Sequence, residues 1–225
     1  MGRPATIVIL CPTRLEARGA RRALSSLDAR DRERVAVRTI GVGPASHDRV
    51  EREARSGATA ILFGLAGGLC PTEAAPAIGQ VVRGSDPERR WTCPVRGAGQ
   101  GTLVVGVDRP VGDPEAKREL HERTGASIVD MESHLFAAAC DEHQIRWGIV
   151  RGISDGPEDM LPTQSLSWIS PGGRVRGDRI ALDLIRRPAL LPGVLALGRR
   201  SRVALAAAGA RLADLIRSEL DGAAS

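Results

Sequence analysis

The chain has 225 residues, a formal charge of +5 and an apolar share of 42%. That length suits one large domain, and the apolar share is ample for a single core. The basic residues are arginines apart from Lys117, and no aromatic residues are interleaved with them, which argues against a nucleic-acid partner.

With three Trp, two Phe and no Tyr, the core falls to Ala, Val, Leu and Ile. Cys11, Cys70, Cys93 and Cys140 form no C-x-x-C pair and have no His at finger spacing, so no metal site is expected. Reduced, buried thiols of a cytoplasmic protein account for them. The apolar run Ile7–Leu10 is too short for a signal-peptide core or a membrane span.

In chain order, Thr6–Cys11 (TIVILC) has the β-branched run of a strand buried on both faces. Leu15–Leu27 has helical spacing, Val35–Val42 reads as a strand, and a charged helix follows over about Ser46–Ser56. Ala60–Gly64 is a third strand ending in GLAGGL. Ile78–Val82 and Leu103–Val107 are further strands, joined by a polar hairpin or loop over 83–101. Glu115–Thr124 reads as a helix, Ile128–Val129 as a strand end, Glu132–His143 as a helix and Trp147–Ile153 as a strand. Residues 156–179 are loop-like, and the rest is helical and rich in Leu and Arg. Alternating strands and helices predict an α/β sheet, mostly parallel, in one domain spanning 1–225. Within it, 180–225 reads as a basic, apolar helical extension.

Ligands of such sheets lie outside the carboxyl ends of the strands. Four glycine-rich or polar sets fall there: Gly41–Gly43, Gly64–Gly68, Asp130–Glu132 and Ser154–Asp155. Taken singly, each also reads as a tight turn. Ser46 replaces the last glycine of a G-x-G-x-x-G pattern. In VDMESH, Asp130 and Glu132 equally suit the positive end of the helix that follows.

In that order, TIVILCPTRLEA, TIGVGPA, ILFGLAGGL, VDMES and RGISD resemble the nucleoside phosphorylase and nucleosidase family over about residues 5–160. The resemblance implies an α/β single domain with a mixed central β-sheet flanked by helices. VDRPVGDPEAKRELHERTGASIVDMESH, ISDGPEDMLP and RRPALLPGVLALGRRSRVALAA are similar to the hopanoid-associated phosphorylases. That narrower resemblance implies phosphorolysis of adenosylhopane with release of adenine, in hopanoid biosynthesis.

Carried over by motif, Asp155 is the general acid that protonates the leaving purine, a task suited to a carboxylic acid in a partly closed site. Glu132 would accept hydrogen bonds from both ribose hydroxyls, and Met131 would pack on the sugar. Asp130 is the helix-capping acid of the pair. Glu16 aligns with the glutamate that activates water in hydrolytic nucleosidases, while Arg14 and Arg18 read either as phosphate ligands or as a solvated helix face. Gly43, Gly67, Gly68 and Ser154 complete the substrate contacts. Relatives place an aromatic residue on the purine where this chain has Val107–Pro110, so backbone contacts, apolar side chains or Arg109 stacking are expected to hold the base. His134 is expected to be a packing or capping residue.

The family implies no cofactor, phosphate as co-substrate, a small-molecule nucleoside as partner and a homodimer. The C-terminal extension implies peripheral contact of a cytoplasmic enzyme with the membrane surface. Two alternatives stand beside phosphorolysis: a hydrolytic 5′-methylthioadenosine/S-adenosylhomocysteine nucleosidase, and a non-catalytic nucleoside-binding protein. The latter would have no need of an acid at Asp155.

Overall fold

The computed structural model describes residues 6–95, 101–161, 167–170 and 172–222. Strand β1 (Ile7–Cys11) lies between β2 (Val35–Thr39) and β3 (Thr59–Gly68), parallel to both. All five β1 residues are buried, as expected for a strand covered on both faces. The long β3 carries two partners: its body pairs in parallel with β8 (Arg146–Asp155), and its last residues, Gly67 and Gly68, pair antiparallel with β7 (Ile128–Asp130). β7 continues the sheet through β6 (Thr102–Gly106) to β4 (Ile78–Arg83), and β4 closes the edge with β5 (Asp86–Thr92). The sheet is therefore mixed, with eight strands among the described residues.

The polar stretch after β4 is a hairpin whose return strand is β5. β5 exposes most of its charged side chains and packs mainly through Trp91, so its apolar pattern was too sparse to read as a strand. Residues 96–100 of that stretch, and 162–166 and 171 of the loop-like stretch after β8, lie outside the described residues.

Helices α1 (Arg14–Leu24) and α2 (Ala29–Glu33) precede β2, and α3 (His47–Ala54) precedes β3. Helix α4 (Pro114–Thr124) leads to β7, and α5 (Ser133–Glu142) leads from it to β8. The chain ends in α6 (Gly177–Arg186) and α7 (Leu191–Gly222). One face of the sheet is covered by α3 and α5, where Phe136 meets Trp147 edge to face. The other face is covered by α1 and α7.

Helix α7 revises the view of 180–225 as an extension. From Ala204 onward, Leu205, Ala208, Leu212, Ile216 and Leu220 are buried against β1, β3 and α1. These residues form part of the main core. Only α6 and the first turns of α7 stand free of it: α6 buries none of its residues, and Ile185 and Leu195 are 80% and 63% exposed.

Candidate active site

The point where β3 changes partner also gathers the polar sets. Asp155 ends β8 opposite Gly67, and Asp130 ends β7 beside it. A cavity of about 310 Å³ opens there, within the range of small-molecule sites. Its walls bring together Glu16, Glu132, Asp155, Met131, Ser154 and Gly67, six of the predicted site residues. A larger groove of about 680 Å³ runs between α1 and α7, but Glu16, Glu132 and Asp155 do not line it. We place the site at the carboxylates, because chemistry needs the groups and not the volume alone.

Glu16 is fixed by the start of α1. Thr13 is the N-cap and Glu16 closes a capping box with it, taking the Thr13 N–H at 2.7 Å and the Thr13 Oγ at 2.6 Å on one oxygen. Its other oxygen takes the Leu65 N–H at 2.7 Å. Burial raises the Glu16 carboxyl above its ordinary range, partly offset by the Arg151 charge and these hydrogen bonds.

The two acids of VDMESH have different partners. Asp130 accepts the Ser133 N–H at 3.0 Å and the Ser133 hydroxyl at the start of α5, and it receives Arg151 Nε at 2.7 Å. Glu132 takes the Gly43 N–H at 2.8 Å on Oε1 and Arg151 Nη2 at 3.2 Å on Oε2. Burial pushes the Glu132 carboxyl up to about 7, with Arg151 pulling it down and Asp130 adding to the rise. Gly43 sits at φ +64°, and a Cβ there would lie 2.8 Å from Met131 Cε. The turn after β2 therefore needs glycine for its left-handed backbone, and a side chain there would also displace the Met131 methyl.

Arg151 had drawn no role from the sequence, although it opens the RGISD motif. It is fully buried on β8 and pairs with Asp130 and Glu132. Its Nη1 has no partner and is buried. A Cβ on Gly64 would lie 2.4 Å from Glu16 Oε1 and 2.5 Å from Arg151 Nη1, so the missing side chain lets both groups crowd onto β3.

Asp155 is buried and doubly held. Its Oδ1 lies 2.8 Å from the Ser154 hydroxyl, and its Oδ2 receives Lys117 Nζ at 2.6 Å. The sequence offered one signal for Lys117, its being the only lysine.

Other predicted residues fall away from the cavity or are already engaged. The Gly43 amide is occupied by Glu132. Gly68 pairs with Ile128 and is absent from the lining. Arg109 is exposed and outside the walls, where Val107, Pro110 and Val111 stand instead. Arg14 and Arg18 are exposed, and among the described residues no arginine or lysine lines the cavity. His134 is buried with Nε2 3.1 Å from Asp108 Oδ1, and burial lowers its pKa, as fits a packing residue. The far wall is apolar, with Leu161, Ile169, Val175 and Leu197.

Residues 98–186 match the family model of the phosphorylase superfamily. No curated protein matches the chain. Among solved structures, it is similar to the futalosine hydrolase of Helicobacter pylori strain 26695, at 15% identity and a TM-score of 0.62 over 97% of this chain and 98% of that one. It is also similar to the 5′-methylthioadenosine/S-adenosylhomocysteine nucleosidase of Helicobacter pylori, at 14% identity and a TM-score of 0.59 over 97% and 99%. The corresponding enzyme of Neisseria meningitidis, bound to methylthio-immucillin-A, matches at 12% identity and a TM-score of 0.59 over 95% and 98%. The mixed, helix-flanked single domain expected from the motifs is thus the fold of these proteins.

Proposed function

We propose that this chain, a phosphorylase-superfamily enzyme with the nucleosidase fold, cleaves the N-glycosidic bond of an adenine nucleoside. The observation that carries the reading is the meeting of Asp155, Glu132 and Glu16 around one cavity at the crossing of β3, β7 and β8. Asp155 protonates the departing base, and the base leaves neutral. Glu132 keeps a free lone-pair direction on each oxygen for the ribose hydroxyls. Met131 packs on the sugar, and Val107, Pro110 and Val111 hold the base by apolar contact.

The motifs and the apolar wall of Leu161, Ile169, Val175 and Leu197 support a nucleoside with a large apolar 5′ group, adenosylhopane in the first instance. The exposed apolar and basic surface of α6 and early α7 supports docking of the enzyme at the bilayer that holds such a lipid. A homodimer is the assembly we expect from the family resemblance.

One observation favours a second reading of the nucleophile. Glu16, Asp130, Glu132 and Asp155 all line the cavity, and among the described residues no cationic side chain lines it to receive a phosphate dianion. Water, activated by Glu16, fits that lining better, and its product would be free ribose. Incubation with adenosine and with 5′-methylthioadenosine, with and without phosphate, tests both points. Release of adenine supports the proposed cleavage. The 1-phosphate of the sugar (ribose from adenosine, methylthioribose from 5′-methylthioadenosine) identifies phosphorolysis, and the free sugar identifies hydrolysis. Absence of adenine under every condition, including vesicle-borne adenosylhopane, overturns the reading.

A further inference from the structure

We infer that Lys117 is the positioning residue of the leaving-group acid, storing behind Asp155 the proton that Asp155 passes to the base. The inference rests on the role given to Asp155 above. Lys117 projects from α4, fully buried, and its Nζ meets three acceptors: Asp155 Oδ2 at 2.6 Å, the Gly156 carbonyl at 2.8 Å and the Asp159 carbonyl at 3.0 Å. An ammonium has three N–H donors, so all are used. Asp159 turns its own carboxylate elsewhere, to the Gly156 N–H at 2.7 Å and to Arg200 of α7 at 2.5 Å. Asp155 is therefore the acidic side chain that faces Nζ directly, with Asp159 and Arg200 as the nearby charges.

The choice of residue carries the argument further. This chain has 32 basic residues and only one is lysine. A guanidinium cannot be deprotonated in a protein, whereas a buried lysine exchanges its proton readily. Among the lysine and arginine side chains, the one able to release a proton is the one touching the acid. On the other side of Asp155, the Ser154 hydroxyl lies 2.8 Å from Oδ1 and 3.3 Å from the Ala66 carbonyl. It can donate to a carboxylate, or turn to Ala66 and accept from a carboxylic acid.

The step balances as follows. Substrate expels water from the cavity, which disfavours the separated charges of an ion pair relative to a neutral amine and acid. An Nζ–H bond breaks as an O–H bond forms on Asp155. That O–H bond breaks in turn as the purine nitrogen is protonated, and the glycosidic electron pair leaves with the base. Water or phosphate bonds to the sugar carbon that lost the base, and Lys117 remains a neutral amine until it regains a proton from water after product release.

A purely structural Lys117, tying α4 to the segment after β8, would not depend on the leaving group. Lys117→Arg and Lys117→Met are therefore compared on adenosine and on 4-nitrophenyl β-D-ribofuranoside, whose leaving group needs no proton. Both variants should lose kcat on adenosine on the order of 10²–10⁴-fold with KM little changed, and at least about tenfold less on the nitrophenyl riboside. Equal losses on the two substrates, or full activity of Lys117→Arg, would overturn the inference. Because lysine occurs once, ¹⁵Nζ labelling gives a single resonance, which is read in the folded wild type and does not depend on the Lys117 variants folding. In the wild type that resonance should move from ammonium toward amine when a non-cleavable nucleoside analogue fills the cavity, and Asp155→Asn should abolish the move. An ammonium signal indifferent to Asp155→Asn overturns proton storage. If the wild type cleaves neither riboside, the nucleosidase reading fails, while the resonance still reports on the Lys117–Asp155 pair.

Discussion

Replacing Arg151 with Met probes how the site holds its acids. Arg151 is the one cation among three buried carboxylates, pairing with Asp130 at 2.5 Å and Glu132 at 3.2 Å and bearing electrostatically on Glu16. Met fills part of the space but leaves these acids without a counter-ion. Breaking a buried ion pair by removing one partner costs roughly 3–5 kcal/mol. For a domain of this size each kcal/mol moves Tm by roughly 2–4 °C, so the fall should be roughly 6–20 °C at neutral pH. The penalty should also depend on pH with a defined sign. Glu16 and Glu132 already have carboxyls raised by burial, so their ionisation opposes folding, and stability declines as pH rises from the ordinary carboxyl value through about 7. Without Arg151 both carboxyls rise further, so the deficit should be largest at alkaline pH and shrink on acidification. Urea midpoints of wild type and Arg151→Met at pH 5.5 and pH 8 measure this. A penalty under about 1 kcal/mol, or one equal at the two pH values, would refute the idea that Arg151 holds these acids in place.

Asp155→Asn should lose glycosidic cleavage on the order of 10²–10⁴-fold while still binding nucleoside, as read by kcat and by calorimetry, and near-normal turnover would remove it as the acid. Glu132, raised to about 7, should bind ribose hydroxyls better once ionised, so KM for adenosine should fall as pH rises through 7. KM for 2′-deoxyadenosine should move less, and in Glu132→Gln the trend should vanish; a shared trend would assign it to another group. The full-length chain should sediment with anionic vesicles at low salt and release at high salt. Ile185→Asp combined with Leu195→Asp should abolish this without loss of Tm, because both side chains are largely exposed; undiminished binding would clear α6 and α7 of that role.

The strands were legible because their residues are apolar for one reason only, burial on both faces: Ile7–Cys11 and Ala60–Gly64 leave no other reading. The acids that line the cavity were singled out through short motifs at or just after strand ends. The groups that set those acids in place were not. Arg151 sits in mid-strand, where a charged residue contradicts the apolar pattern and only tertiary structure supplies Asp130 and Glu132 as partners. Lys117 lies 38 residues from Asp155 along the chain, and its helix otherwise reads as a charged surface helix. Arg109 shows the reverse case: a residue placed near the base by motif spacing turns its side chain to solvent, and the proline after it lines the wall.

Helix α7 explains why the C-terminal sequence supported two readings at once. Leucine and arginine recur along its whole length, so composition cannot divide it. Geometry divides it near Ala204. Before that point Leu195 and Val203 face solvent while Leu197 and Ser201 reach the cavity wall; after it the apolar face is sealed against β1, β3 and α1. Arg200, in the first part, also pairs with Asp159, whose carbonyl accepts from Lys117. The free surface, the cavity wall and the surroundings of the acid therefore lie on one continuous helix anchored in the core. A lipid surface meeting early α7 would lie within a few residues of the cavity's apolar wall. Removing the whole helix would take away much of the core with it, so the surface role has to be separated by substitution at exposed positions and not by truncation.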